Sequence, residues 1–252
     1  MDKVLFYVDP VSEPCRSVQM FLDATNIPYE AKIINLLTAE HRTDEYKAIN
    51  PTQTVPAIAH GDLKLFESLH YLWLSKLKKL HFFGLPVSVA ILIYLTDKFS
   101  TPDHWYPSDL KKRAKINEYL QWHHMNTRWK GGLLVMLKFV FLPMFLKVEV
   151  SEEEQNAAIT ALKETLDVFE KCFLKDNKFI AGDEISIADL MAIGELIAPD
   201  GIGIYAGKNR PKVEAWHNRV KEALGSHYDV AHKTLYELGS TLKSGLSKSI
   251  DY

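Results

Sequence analysis

The first hundred residues alternate between strand-like and helix-like patterns of hydrophobic positions. Short runs rich in β-branched residues predict strands, and apolar spacing of three and four residues predicts a helix. Gly61, between two of the strand-like runs, is typical of a hairpin turn over residues 60–62. The pattern therefore predicts strand, helix, strand and a two-stranded hairpin, in the segments Lys3–Val8, Glu13–Ala24, Glu30–Asn35, Val55–Ala59 and Leu63–Phe66.

From Ser108 onward the pattern is helical only. It predicts helices over Leu110–Trp129, Glu152–Leu174, Ser186–Leu196 and Pro211–Leu224. Ser186 and Asp189 have the spacing of an N-cap and the carboxylate that supports it. The change of pattern falls in Ser100–Pro107, which contains two prolines and is interpreted as a linker. The expected architecture is an α+β domain over residues 1–102 and an all-helical domain over residues 108–252.

Composition and charge exclude several classes of protein. The chain has 252 residues, of which 47% are hydrophobic and 25% charged, as in globular proteins with a buried core. A net charge of −2 with scattered Lys and Arg gives no case for nucleic-acid binding. The apolar stretches Leu85–Leu95 and Leu133–Leu146 are shorter than the ~20 residues of a membrane span. Two cysteines suit a reducing compartment, so we expect a cytosolic protein without a membrane span.

A Ser-x-x-Cys turn follows the first predicted strand. Ser12 stands at the start of a predicted helix, beside backbone N–H groups that favour an anion. Proteins that exchange dithiols carry a cysteine at the first position of such a turn, so Ser12 disfavours that reaction. We interpret Cys15 as a buried structural thiol. Ser12 is then a candidate for activating the thiol of another molecule, and the alternative is that it only caps its helix.

These residues carry a resemblance to a known family. With Asn50-Pro51, Val55-Pro56, Glu67-Ser68, Trp105-Tyr106-Pro107 and Ile185–Leu190, the chain resembles a cytosolic glutathione transferase, and most closely the theta class, whose members use a serine at this turn. The resemblance covers Met1–Ser68 and Val89 to about Ala231. It implies a thioredoxin-like N-terminal domain followed by an all-α domain.

The resemblance assigns the main features of a glutathione site. It implies that Ser12 stabilises the glutathione thiolate. It places Val55 before a cis-proline, where its backbone pairs with the peptide; the alternative is an ordinary loop. It implies that Glu67 and Ser68 hold the γ-glutamyl end of the ligand.

Three further residues complete the implied site. His41 matches a histidine at the glycine end, and the alternative is a surface histidine. Thr54 stands where theta enzymes usually carry a lysine, so weaker binding of the glycine carboxylate is expected. Arg128 matches an arginine of the helical domain that closes over the ligand, and the alternative is a solvated charge.

One segment departs from the family pattern. Leu69–Ser88 separates Glu67-Ser68 from the helix-like Val89–Leu95, whereas the family joins these pieces directly. Because Ser68 and Ser88 flank the insertion, either satisfies the pattern as the ligand-binding serine. The repeated serine favours a retained in-frame intron or an error in the gene model. The alternative is a genuine amphipathic helix, capped by Ser68, for a partner or a membrane surface.

The function implied by the resemblance is conjugation of reduced glutathione to small hydrophobic or halogenated electrophiles, as in detoxification. Glutathione is a co-substrate, and no other cofactor or metal is expected, since the adjacent His123 and His124 point to different helix faces. Leu133–Leu146 and the end of the chain are expected to line the electrophile pocket, and a homodimer is expected. The alternatives are a non-catalytic protein of the same fold that binds glutathione or hydrophobic ligands, and glutaredoxin-like reduction through Cys15.

Overall fold

The computed structural model describes residues 3–66, 68–69, 85–86 and 88–244. The chain divides into two compact units, Met1–Thr101 and Pro102–Tyr252, and the boundary lies inside the proline-containing stretch Ser100–Pro107. The first unit combines strands and helices, whereas the described part of the second contains helices as its regular elements. The predicted fold class is therefore confirmed.

The first unit is built on a four-stranded sheet in the order β2-β1-β3-β4. β1 pairs in parallel with β2 and antiparallel with β3, and β3 pairs antiparallel with β4. Their bounds are Val4–Val8 for β1, Tyr29–Ile33 for β2, Ala57–His60 for β3 and Leu63–Phe66 for β4.

β4 has its predicted bounds, whereas the bounds of β1, β2 and β3 differ from the predicted ones by one or two residues. β2 ends before Asn35, because the Asn35 side chain accepts the N–H groups of Leu37 and Thr38 at 2.9 and 3.1 Å and starts a turn. The hairpin turn is shorter than predicted, because His60 still pairs with Leu63. Gly61 supplies the left-handed backbone of this tight turn, with φ of 61°.

Helix α1 (Glu13–Ala24) has the predicted bounds. Ser12 occupies the N-cap position, and Pro14 lies in the first turn, where no intrahelical N–H is required. One face of the helix is fully buried, including Val18 and Phe21, which anchors α1 in the core of the unit. The unit also contains the short helix α2 (Asp44–Lys47) and helix α3 (Val89–Lys98).

The two ends of the insertion meet in a short antiparallel ladder. β5 (Ser68–Leu69) pairs with β6 (Leu85–Pro86), with Ser68 opposite Pro86. The predicted ligand residue Glu67, directly before β5, lies outside the described residues. The segment between the two strands also lies outside them. The expectation that Ser68 caps a helix of the insertion is wrong, since Ser68 lies in a strand. The ladder brings the two ends of the insertion together. Ser88 follows as the N-cap of α3.

The second unit begins with one long helical segment. α4 (Leu110–His123) is capped by Asp109, whose carboxylate accepts the N–H groups of two following residues. The predicted end at Trp129 is wrong, because the segment continues to Phe145 through π-helical turns and the short helix α5 (Leu134–Met136). Gly132 permits this path: a Cβ there would lie 2.8 Å from the Glu195 carbonyl oxygen. A larger residue would push the two helices apart.

α4, the π-helical turns that follow it and α8 (Pro211–Leu224) contact α7 (Ile187–Leu196), every residue of which is buried. The predicted cap is confirmed: Ser186 and Asp189 form a capping box, and Asp189 also accepts from Trp216 Nε1 at 2.9 Å. This buried carboxylate ties α7 to α8 and serves the fold. The other helices of the unit are α6 (Glu152–Val168), α8 (Pro211–Leu224) and α9 (Ser226–Ser244), with α6 continuing as π-helical turns to Leu174.

Helix α9 was not predicted from the sequence. It packs against the turn Pro199–Ile202, where Gly201 and Gly239 approach so closely that a Cβ on Gly239 would lie 2.7 Å from the Gly201 carbonyl oxygen. Seven of the fourteen residues of the apolar stretch Leu133–Leu146 are buried in this unit, while Phe145 is exposed. Among the described residues, no helix is long and apolar enough to cross a membrane.

Candidate functional site

Four candidate segments follow or precede strand ends at one edge of the sheet. Val8 lies opposite Ile33, Tyr7 opposite Ala57, and Ala57 opposite Phe66. The carboxyl ends of β1, β2 and β4 therefore share an edge with the amino end of β3. The candidates Ser12, His41, Val55 and Ser68 are carried by the chain segments that leave or enter the sheet there. The topology thus gathers candidates that are far apart in sequence.

Ser12 is held by its main chain and leaves its hydroxyl for other contacts. Its N–H donates to the Asp9 carbonyl at 3.0 Å, and its carbonyl accepts the Arg16 N–H at 3.2 Å. Its side chain makes no capping hydrogen bond to the helix, so the alternative of a simple capping serine is wrong. The Ser12 side chain lowers the pKa of the nearby Cys15 thiol, against the larger opposite effect of burial. A half-buried hydroxyl that does not cap its helix therefore stands at the amino end of α1.

Cys15 is a buried thiol, as predicted. Burial raises its pKa to about 12, which outweighs the opposing hydrogen bonds from Ser12 and the Asp9 backbone. The thiol is therefore protonated at neutral pH, whereas the thiolate is the reactive form. This environment gives no support to a redox role for Cys15.

The two cysteines provide a direct chemical test of this description. Brief treatment of the native protein with iodoacetamide at neutral pH is expected to alkylate the exposed Cys172 and leave Cys15 intact. Mass spectrometry of the digested protein measures both sites, and alkylation in urea provides the control in which both react. Equal labelling of the two sites in the native protein would contradict the buried, protonated state of Cys15.

His41 is buried, so the alternative of a surface histidine is wrong. It lies in the turn Glu40–Arg42 after β2, where the Arg42 Nε–H donates to His41 Nε2 at 3.1 Å. Burial, followed by the nearby Arg42 charge, lowers the pKa of His41. A lowered pKa favours the neutral ring, which can accept this hydrogen bond at Nε2.

The segment before β3 is fixed by buried polar residues. The Val55-Pro56 peptide bond is cis, as the resemblance implied. The Thr54 carbonyl accepts from Tyr46 Oη at 2.6 Å and from Asn50 Nδ2 at 2.7 Å, while the Thr54 hydroxyl contacts Asn50 Nδ2 at 3.2 Å. These contacts hold the backbone that leads into Val55. The Thr54 side chain is therefore part of a local hydrogen-bond network.

Ser88 lies next to the start of β5 through the ladder that closes the insertion. Pro86 pairs with Ser68, and Ser88 follows two residues later as the N-cap of α3. Its side chain is fully buried. The amino end of α3, a ten-residue helix, is therefore formed by Ser88 and Val89 and not by Ser68.

Arg128, in the second unit, is also buried, so the alternative of a solvated charge is wrong. Its Nη1 donates to the Glu195 carboxylate, and both side chains are at most 3% exposed. Within the described part of the chain, Arg128 Nε has no hydrogen-bond partner. The guanidinium is thus anchored to Glu195 through Nη1.

The adjacent histidines before Arg128 are neutral core residues. Burial, followed by the neighbouring His124, lowers the pKa of His123 to about 3, and burial and Arg128 lower that of His124 to about 4. His123 Nδ1 donates to the Leu120 carbonyl at 2.6 Å. Among the described residues, no group of three or more His, Cys, Asp or Glu side chains could hold a metal ion.

Sequence reasoning missed the residues that hold the loops of this site in place through hydrogen bonds. Asp9 accepts backbone N–H groups from two loops, and Tyr46 and Asn50 fix the Thr54 carbonyl. Asn50 was noted only as part of the family pattern. The signal for Asp9 was its place at the end of a strand, directly before the Ser12 turn, where a buried carboxylate needs partners.

The matching family models and curated relatives agree on one family. The model of the glutathione S-transferase N-terminal domain matches residues 6–71, and that of the C-terminal domain matches residues 134–223. Human glutathione S-transferase theta-1 is 37% identical over 91% of this chain and 87% of its own length. The chain belongs to the theta class of the glutathione S-transferase family. The chicken theta-1 relative is 38% identical over 92% of this chain and 88% of its length.

Solved structures support the same theta-class assignment. The apo form of human glutathione S-transferase T1-1 has a TM-score of 0.83 at 35% identity, covering 96% of this chain and 95% of that chain. Human theta-2, solved in complex with glutathione, also has a TM-score of 0.83, at 33% identity, covering 98% and 93%. The chain is thus a glutathione transferase by fold, by sequence and over nearly its whole length.

Proposed function

We propose that this theta-class protein conjugates reduced glutathione to small hydrophobic or halogenated electrophiles, with the Ser12 hydroxyl stabilising the glutathione thiolate. One observation carries the proposal: Ser12 stands at a helix N-terminus, yet its hydroxyl does not cap the helix. A hydroxyl that donates to sulfur favours the charged form and lowers the thiol pKa. The amino end of α1 carries a partial positive charge, which also favours the thiolate.

The rest of the sheet edge suits an anionic tripeptide. The backbone at Val55, held by the Thr54 network, is placed to pair with the extended ligand in the manner of an added strand. His41 lies in the turn after β2 and is proposed to face the glycine end of the ligand. Glutathione bound to human theta-2 supports glutathione as the ligand class. No metal or further cofactor is needed for this chemistry, because the thiolate itself is the nucleophile.

Arg128 remains a candidate ligand residue in the helical unit. Its unpartnered Nε–H is the donor it offers, while Glu195 balances its charge. The apolar segment Leu133–Leu146 is the proposed source of the electrophile pocket. Its shape, and not a motif, then selects the electrophile.

The function is tested by retention on immobilised glutathione, followed by a conjugation assay of the eluted protein with a panel of small electrophiles. We expect retention and a rate of conjugation that depends on the protein. Retention without conjugation would support the non-catalytic binding protein instead. Failure of both would overturn the proposal.

We further propose that Ser88, rather than Ser68, contacts the γ-glutamyl carboxylate in the full chain. The amino end of a helix favours a negative charge, and Ser88 is the N-cap residue of α3. Ser68 instead pairs with Pro86 at the base of the insertion. The insertion is thus closed at its base, which leaves the start of α3 intact.

Deleting residues 69–88 provides a matched test of the two serines. In the full chain, Ser88→Ala is expected to weaken glutathione binding about 10-fold, the typical cost of one hydrogen bond to a charged group, while Ser68→Ala has little effect. In the deleted chain Ser68 directly precedes Val89, so Ser68→Ala becomes the damaging change. Calorimetric titration measures glutathione binding by the two variants of the full chain, by the deleted chain and by its Ser68→Ala variant. The opposite pattern would assign the site to Ser68.

The deletion is also expected to raise thermal stability and glutathione binding, if the insertion is an artefact of gene structure. Loss of stability or binding on deletion would instead identify residues 69–88 as an evolved element with its own partner.

A homodimer in the cytosol is proposed for the native protein. Twofold homodimers are the commonest oligomers, and the theta resemblance implies one. Light scattering at micromolar concentration is expected to give about twice the chain mass of 28.8 kDa. A monomeric mass under these conditions would contradict this expectation.

A further inference from the structure

The carboxylate of Asp9 joins two loops at the sheet edge. Asp9 follows β1 directly and is only 7% exposed. Its Oδ1 accepts the Val11 N–H at 2.9 Å, and its Oδ2 accepts the Leu36 N–H at 3.0 Å. Val11 directly precedes Ser12, whereas Leu36 lies in the loop that leaves β2 and leads to His41. One buried side chain therefore ties the loop before Ser12 to the loop after β2.

The main chain of Asp9 holds the same turn. Its carbonyl accepts the Ser12 N–H at 3.0 Å. Ser12 is thus bonded directly to Asp9 and is preceded by a residue bonded to the Asp9 carboxylate. Asp9 therefore accepts the N–H groups of both Val11 and Ser12 in the turn that places the serine hydroxyl.

Charge and position predict opposite effects for this carboxylate. The negative charge of Asp9 raises the pKa of Cys15, so by charge alone it opposes a second thiolate beside Ser12. Its hydrogen bonds act the other way, because a buried N–H without an acceptor is costly and the loops would rearrange to satisfy it. If the effect of the Asp9 charge on the thiolate dominates, removing the carboxylate speeds conjugation. If the effect of its hydrogen bonds on the loops dominates, removing the carboxylate slows conjugation.

We propose that Asp9 is a positioning residue, whose carboxylate fixes the Ser12 turn so that the serine hydroxyl meets the glutathione sulfur. This inference rests on the proposed role of Ser12. Asp9 touches neither substrate nor reacting atoms, and it acts through the two loops that it joins.

A double-mutant cycle of Asp9→Asn and Ser12→Ala tests the inference. Asparagine keeps one acceptor oxygen but turns an NH₂ donor toward the other N–H group. We expect Asp9→Asn to lower kcat/KM about 10-fold or more with Ser12 present and less than about twofold in the Ser12→Ala background, since residues that act as a unit are non-additive. The pH profile of kcat/KM should shift upward with Ser12 present, because the thiol loses its donor.

Glu40→Gln is the matched control. The Glu40 carboxylate accepts the N–H of Asn35, the neighbour of Leu36, at 2.8 Å, but it makes no bond to the Ser12 turn. Its kcat/KM and pH profile should match those of the unmodified protein. If Asp9→Asn fails to fold, Asp9→Glu enters the same cycle, since it keeps the charge and displaces both oxygens by one methylene.

The cycle separates the possible failures. Equal losses in both backgrounds, or faster conjugation by Asp9→Asn, would overturn the positioning role while leaving Ser12 in place. Full activity of Ser12→Ala alone would overturn the proposed function of Ser12 and the Asp9 inference with it.

Discussion

Replacing Ser12 with alanine is expected to lower the rate of glutathione conjugation by about 10²–10³-fold, the typical effect of removing one preorganised donor from a developing or stabilised anion. The fold should be retained, because the Ser12 side chain makes no capping bond and its main-chain bonds to Asp9 and Arg16 persist in the variant. Steady-state kinetics with a reactive electrophile and thermal unfolding measure the two effects separately.

Ser17→Ala is a suitable control for this variant. It removes another hydroxyl from α1, where Ser17 Oγ donates to the Glu13 carbonyl at 3.4 Å. Its kinetics should be close to those of the unmodified protein. A folded Ser12→Ala variant with unchanged turnover would remove Ser12 from the mechanism.

The largest effect on stability is expected at the buried ion pair of the helical unit. Glu195→Leu leaves the Arg128 guanidinium buried without its carboxylate, which is expected to lower the free energy of unfolding by about 3–5 kcal/mol. Adding Arg128→Met should recover a large part of that loss, because an apolar pair of similar volume needs no charge compensation. Urea denaturation of the two single variants and the double variant measures the coupling.

The exposed pair Lys115–Glu118 serves as the comparison. Glu118→Gln should leave the free energy of unfolding nearly unchanged, since exposed pairs contribute little. If Glu195→Leu is as harmless as Glu118→Gln, Arg128 does not depend on Glu195, and a freely moving ligand arginine becomes the better description.

Sequence patterns predicted the parts of the fold whose signal is local. α1 and α8 have the predicted bounds, because each combines a proline in its first turn with regular apolar spacing. α9 was missed because its buried positions include His232 and Gly239, which hide the apolar repeat. The helix end at Trp129 was misplaced because the helix continues through Gly131 and Gly132, where the close approach of α7 stabilises it.

In the candidate site too, features with a local sequence signal were predicted, and features that depend on distant residues were not. Ser12 and the cis-proline were predicted from the residues of the Ser-x-x-Cys turn and from the family pattern. The choice between Ser68 and Ser88 depends on strand pairing at the base of the insertion. The sequence pattern does not predict this pairing. The role of Asp9 depends on Leu36, 27 residues away, so only the fold brings the two together.

The central claim is that Ser12 lowers the pKa of the glutathione thiol when the peptide is bound. The thiolate absorbs in the ultraviolet, so a pH titration of the protein–glutathione complex measures this pKa directly. We predict a midpoint well below the value of about 8.5 for a free cysteine thiol, and a return toward that value in Ser12→Ala. A complex that titrates like free glutathione, or a Ser12→Ala complex that keeps the lowered midpoint, would contradict the account.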